Sequence, residues 1–134
     1  MRVIADTGFL VALQNAKDRH HMWAVTSLVD FTEPLLTCEP VLVEAAFLLG
    51  SAAETLGMLR DNLVRVDFDL ATNLGSLVSL AETYKDRQLD LADLCIVRMS
   101  ELFPHHRIVT TDRRDFTVYR RNQSEPIPLI LPPE

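Results

Sequence analysis

Short apolar runs that stop at an acid constrain this chain more than any other feature. Residues 2–5 (RVIA) halt at Asp6, and the run that begins at residue 107 (RIVTTD) halts at Asp112. Two further runs of strand length, residues 35–38 and 64–68, lie between them. Each is separated from the next by sequence with helical spacing. Parallel strands need long crossovers, usually helices, and a sheet covered on both faces reads as continuous apolar runs. The expectation is therefore an α/β fold, a mostly parallel sheet with helices on both faces.

The intervening segments fit that plan. Residues 8–14 place Phe9, Leu10 and Leu13 on one helical face, and a second helix is expected over residues 21–31. Pro34 breaks the pattern, and Pro40 suits the first turn of a third helix that stops near Gly50. Ala52, Leu56, Leu59 and Leu63 trace a fourth. Leu70, Leu74, Leu77, Ala81 and Tyr84 predict a long amphipathic helix. Asp90 is a good N-cap for the last, with Cys95, Ile96, Met99 and Leu102 as its apolar positions. Residues 127–131, set among prolines, can only be an edge strand.

At 134 residues the chain fits one domain spanning residues 1–134, with enough apolar sequence (48%) to form a core unaided. Cys38 and Cys95 sit in apolar surroundings and read as buried, reduced thiols. The adjacent pairs His20–His21 and His105–His106 read as surface residues, because neighbours in a chain rarely chelate one ion together. No secretory signal or membrane-length run is visible, so a soluble, cytoplasmic protein is expected. The net charge of −6 argues against nucleic-acid binding by a uniformly basic surface. Basic residues are nonetheless uneven, with Arg107, Arg113, Arg114, Arg120 and Arg121 close together near the C-terminus.

Four acids interrupt apolar sequence: Asp6 after RVIA, Glu44 inside VLVEAAFLL, Asp93 inside LDLADLCIV, and Asp112 after IVTT. Acids are rarely buried unless paired or liganded. Each has an ordinary alternative as a helix cap, a dipole partner or a turn residue. Two lie at strand ends, where open α/β sheets build their sites. If the four converge, two charges ~4 Å apart repel by ~4 kcal/mol at an effective dielectric near 20. Such a group takes up protons or a cation. Oxygen donors without His or Cys favour Mg²⁺ or Mn²⁺ over zinc. Ions so held suit metal-assisted hydrolysis of a phosphate ester.

The ordered set IADTGFLVAL, LVEAAFLL, LDLADLCIV and IVTTDRRDF resembles the PIN-domain nucleases, in particular the VapC-type ribonuclease toxins of toxin–antitoxin pairs. The resemblance covers most of the chain, from about Val3 to Phe116. It implies a three-layer α/β/α sandwich with RNA as substrate. It carries the acidic ligand and catalytic positions over to Asp6, Glu44, Asp93 and Asp112. A supporting hydroxyl then falls on Thr110, and Asp115 is an extra acid behind the main four. The resemblance also implies homodimers and a small antitoxin protein whose C-terminal segment occupies the groove. Arg113, Arg114, Arg120 and Arg121 are the candidates for contact with RNA.

Three other readings compete. Asp6-Thr7-Gly8 also occurs in aspartic proteases, but that fold is all-β and this chain has one such tripeptide. A phosphoaspartate receiver needs a lysine after a later strand, and the only lysines are Lys17 and Lys85. The third alternative is a catalytically idle PIN domain serving as an RNA- or protein-binding module.

Overall fold

A computed structural model of the chain describes residues 1–32, 34–87 and 89–134. Its centre is β1 (Val3–Ala5), a strand with no exposed residue. On one side β1 pairs with β2 (Leu35–Thr37), which pairs with β3 (Val64–Val66). On the other it pairs with β4 (Arg107–Val109), which pairs with β7 (Leu129–Ile130). All four pairings are parallel, in the order β3-β2-β1-β4-β7. The Pro-flanked strand β7 forms the edge, where the Pro128 carbonyl accepts from the Ile108 N–H at 2.9 Å.

The helices are α1 (Thr7–Gln14), α2 (His21–Ser27), α3 (Glu39–Leu49), α4 (Ala52–Arg60), α5 (Leu74–Thr83), α6 (Leu91–Leu102) and the single turn α7 (Arg113–Phe116). With the sheet they make the three-layer α/β/α arrangement expected from the sequence. A small antiparallel hairpin, β5 (Arg120–Arg121) with β6 (Glu125–Pro126), follows α7. Local rules account for several boundaries. Pro40 stands in the first turn of α3, and Gly50 ends that helix at φ +67°. This left-handed conformation carries no penalty for glycine. Ser51 caps α4 by accepting from the Glu54 N–H.

Two expected helices are shorter than their periodicity. The second stops at Ser27 and continues as a 3₁₀ turn, Leu28–Asp30. Phe31 then turns extended to bury its ring 5.8 Å from that of Phe9. The helix expected from residue 70 begins at Leu74, after a 3₁₀ turn over Ala71–Asn73. There the Thr72 hydroxyl and the Asn73 amide both donate to the Asp69 carbonyl, competing with helical pairing.

The core joins both faces of the sheet: Phe9, Leu10 and Val41 on helices, Ile4, Leu35 and Ile108 on strands, Ile96 and Met99 on α6. Each such side chain contributes roughly 1.5–3 kcal/mol by burial. Cys38 and Cys95 are free and fully buried within it. His105 is exposed as expected, whereas the other histidines depart from the surface reading. His21 is half-buried with Nδ1 2.7 Å from the Ala12 carbonyl, and His106 is half-buried beside Phe103.

From β1 the chain winds outward through β2 to β3, then returns across the sheet to β4. The direction of winding therefore reverses between β1 and β4. Crevices at such reversals, beyond the carboxyl ends of the strands, are where open α/β sheets place ligands.

Candidate active site

Asp6 is the first residue after β1 and the N-cap of α1, with φ −85° and ψ 166°. Its N–H donates to the Val109 carbonyl at 3.1 Å, which joins this corner to the end of β4. The carboxylate does not cap the helix. It accepts instead from the Thr110 hydroxyl at 2.7 Å. Thr110 is fully buried, and its Oγ1 accepts in turn from the Asp112 N–H at 3.0 Å. One hydroxyl thus fixes two acids from different strand ends.

The remaining aspartates arrive on helix starts, and Glu44 from the middle of α3. Asp90 caps α6 by accepting from the Asp93 N–H at 2.8 Å, and Asp112 caps α7 by accepting from the Asp115 N–H at 3.0 Å. Glu44 stands half-buried on α3. Three helix N-termini, of α1, α6 and α7, therefore border the same acids, and each favours nearby negative charge. Gly8 lets α1 close against β4, since a Cβ there would strike the Thr111 side chain.

Asp6, Glu44, Asp90, Asp93, Asp112 and Asp115 line one cleft of about 350 Å³. Within it, ligand oxygens of Asp93, Asp112 and Asp115 lie within 4.8 Å of one another. Asp6 and Glu44 border the cleft outside that closest trio. Their crowding has electrostatic consequences. Burial, opposed by the Thr110 hydrogen bond and augmented by Asp112 and Asp90, pushes the Asp6 carboxyl up to about 6. Burial, then the charges of Asp6 and Asp90, push Asp93 up to about 7. Glu44 is raised by burial, Asp90 and Asp6. Near neutral pH these groups lie between protonation and demand for a cation.

The donor set suits a divalent ion. It consists of carboxylates and hydroxyls, the hard oxygen ligands of Mg²⁺ or Mn²⁺. Thr7 Oγ1, which lines the same cleft, is buried and has no hydrogen-bond partner among the described residues. A buried oxygen left unpaired costs roughly 1–3 kcal/mol, which a cation or its hydration shell would offset.

Tyr119, Asp90 and Arg87 also line the cleft, and none of them carries a sequence signal for a site role. Tyr119 Oη donates to Asp93 Oδ2 at 2.9 Å, and its buried ring packs between Phe116 and Tyr84. Asp90 was legible only as a cap, which it also is. Arg87 Nη2 reaches Asp115 Oδ1 at 3.2 Å, a half-exposed ion pair of a kind contributing ~0.2–1 kcal/mol.

The four arginines near the C-terminus have separate settings. Arg121 is buried, with Nη1 donating to the Ser100 and Pro104 carbonyls, which takes it out of any exposed RNA path. Arg120 Nη1 donates to the carbonyls of Thr117, Val118 and Tyr119. Arg113 donates to the Pro132 carbonyl and pairs with Glu134. Arg114 is exposed beside Arg87, Asp86 and Asp115.

A larger, mostly apolar cavity of about 860 Å³ adjoins the acid cleft and shares Glu44 and Asp90 with it. Pro40, Val43, Phe68 and Leu91 are among its walls. The raised carboxyls of Asp6 and Asp93 line only the smaller cleft. Among the described residues no helix is long and apolar enough to cross a membrane.

No family model matches the chain, and no curated protein matches it. The fold is similar to that of the crystal structure of Mycobacterium tuberculosis VapC20, described as a sarcin-ricin loop cleaving toxin. That similarity has a TM-score of 0.67 over 79% of this chain and 86% of the other, at 20% sequence identity.

Proposed function

We propose that this protein is a PIN-type, divalent-metal-dependent endoribonuclease, the toxin of a type II toxin–antitoxin pair acting in the cytoplasm. The observation that carries the reading is the single cleft in which Asp6, Glu44, Asp93 and Asp112 meet at the winding reversal between β1 and β4. Asp115 joins them as a ligand candidate rather than a remote support, because it shares the closest trio with Asp93 and Asp112. The shared fold with VapC20 supports RNA as substrate.

These acids would hold Mg²⁺ or Mn²⁺, which would supply activation of a water and charge stabilisation at the leaving oxygen. The chain's own residues do the rest. Thr110 holds Asp6 and the backbone at Asp112 in register, and Tyr119 holds Asp93. Thr7 and Gly8, the first residues of α1, line the cleft, and a helix N-terminus favours negative charge beside it. Arg114 is the favoured RNA contact of the C-terminal arginines, since it is exposed beside the cleft.

A small antitoxin and a homodimer belong to the same reading. Leu48 in the acid cleft and Val43 and Leu91 in its apolar neighbour are large exposed apolar side chains, and Phe47, one helical turn from Val43 on α3, is exposed too, which supports a covering partner. Cleavage of single-stranded RNA by the purified chain with Mg²⁺ or Mn²⁺, abolished by EDTA and by Asp93→Asn, is the expected result. RNA binding with no metal-dependent cleavage would replace the enzyme by the idle binding module.

A further inference from the structure

The acid cleft has a difficulty with its own substrate, because six carboxylates face a phosphodiester that is itself negative. Arg87 is the one cationic side chain lining the cleft among the described residues. It stands at the end of the 3₁₀ turn Lys85–Arg87, between α5 and α6, anchored by its N–H on the Tyr84 carbonyl at 2.9 Å. Its guanidinium makes one contact with Asp115, a single 3.2 Å bond from Nη2 to Oδ1, with both side chains about 40% exposed. That is a poor use of a planar fork able to grip an oxyanion with two parallel bonds.

Two further observations point outward from this pair. Arg87 and Asp115 also line a second cavity of about 380 Å³, whose other walls are Asp86 and Arg114. Arg114 has no acid within ion-pair distance among the described residues. Arg87 therefore stands at the boundary between the acid cleft and a pocket holding a second guanidinium. Meanwhile Asp115 is claimed twice, once by Arg87 and once by its place within 4.8 Å of the ligand oxygens of Asp93 and Asp112. A carboxylate that turns to a cation in the cleft loosens its hold on the arginine.

We propose that Arg87, with Arg114, forms a backbone-phosphate subsite for RNA beside the acid cleft, and that Asp115 exchanges Arg87 for the divalent ion as the subsite fills. This rests on the metal-dependent ribonuclease reading for its substrate and its ion. The exchange lets one acid serve two states. Without the ion Arg87 offsets part of the cleft's charge; with the ion seated, the guanidinium turns to a phosphate. RNA and metal should accordingly bind with positive coupling, and that coupling should run through Arg87.

The test uses the full chain with Arg87→Met, which keeps an apolar stem, and Arg87→Lys, which keeps the charge. Binding of a 2′-O-methyl RNA oligonucleotide, which resists cleavage, is followed by fluorescence anisotropy over a salt series, with Mn²⁺ and with EDTA. Mn²⁺ binding is titrated separately by calorimetry without RNA. Arg87→Met should weaken RNA binding about fivefold or more and flatten the salt dependence by roughly 0.7 in slope, one lost phosphate contact on a single strand. It should tighten Mn²⁺ binding at least twofold, by releasing Asp115. Arg87→Lys should recover most of the RNA affinity. Unchanged RNA affinity and salt slope in Arg87→Met would overturn the subsite, and weaker Mn²⁺ binding would overturn the exchange. A wild-type chain that binds no Mn²⁺ would instead remove the underlying metal reading, while the anisotropy in EDTA still reports on the arginine.

Discussion

The Thr110 hydroxyl bonds Asp6 across 104 residues of sequence, donating to Oδ2 at 2.7 Å while accepting from the Asp112 N–H at 3.0 Å. It therefore acts as a fixed spacer between the two strand ends that supply the cleft. Thr110→Val keeps the shape and removes both bonds. The loss should be about 1–3 kcal/mol in chemical denaturation, because the Asp112 N–H and the Asp6 carboxylate each lose a partner. Mn²⁺ affinity or cleavage should fall roughly 10–100-fold, as for other residues that orient metal ligands. Wild-type values for both in Thr110→Val would remove the spacer role.

Asp6→Asn and Asp93→Asn should separate function from stability. Each removes a carboxylate of the proposed metal site and should abolish cleavage. Each also removes a carboxyl that burial and like charges hold well above its usual 3.8. Without metal at about pH 8, both variants should unfold at higher temperature than the wild type, in keeping with the cost of a site built for function. Calorimetric scans in EDTA read this, and destabilised variants at that pH would contradict it.

The same carboxyls set a pH dependence of unusual sign. Their native-state values of about 6 and about 7 lie above 3.8, so between roughly pH 4 and 7 the folded chain holds more protons than the unfolded one. Unfolding releases those protons, and stability contributed by this cleft falls as pH rises through that window. In EDTA the melting temperature should be lower near pH 8 than near pH 5.5. Saturating Mn²⁺ should raise it more at pH 8, where the ligands are free of protons. Asp6→Asn combined with Asp93→Asn should flatten the slope in EDTA. A melting temperature that climbs toward pH 8 in EDTA would exclude this account.

Tyr119→Phe isolates the support of Asp93. The lost bond of 2.9 Å favours the carboxylate, so its removal should raise Asp93 further and carry the acid limb of the pH–rate profile to higher pH. The buried ring keeps its contacts with Phe116 and Tyr84, so stability should change by only about 1 kcal/mol. An unmoved acid limb would show that the bond does not act on Asp93.

Gly8→Ala probes the closure of α1 on β4. The added methyl meets Thr111, whose Cβ would lie 3.4 Å away, so Thr111 or the start of α1 must shift. Overpacking of this kind costs about 1–3 kcal/mol. Because the shift falls beside Asp6, Mn²⁺ affinity should drop with stability. Restoration of both by Thr111→Ala in the double variant would identify the clash as the cause.

The parts of this molecule that could be read from sequence are those where one local rule decides. The runs before Asp6 and Asp112 had to be buried parallel strands, and the proline-bounded end had to be an edge. Thr110 and the four main acids are legible because each breaks an apolar pattern or matches a motif. What is not legible depends on distant contacts. Tyr119 occupies an aperiodic stretch, and only its 2.9 Å bond to Asp93, 26 residues away, gives it a role. Arg87 lies in a polar turn between α5 and α6, and only its bond to Asp115, 28 residues away, brings it to the site. Arg121 carried the opposite lesson: an arginine in a basic run is sequestered by carbonyls at the end of α6.

The burial of Cys38 and Cys95 has a practical consequence. Neither sulfur is open to alkylating reagents while the core is closed, and Cys38 is held protonated by the neighbouring Cys95 and by burial. Native labelling should therefore be negligible, and its onset under denaturant would time the opening of the core between α3 and α6. A single cysteine placed at an exposed position such as Phe47 would then be the sole attachment point for a fluorophore. The protein comes supplied with a silent background for testing whether the proposed partner arrives at its exposed apolar side chains.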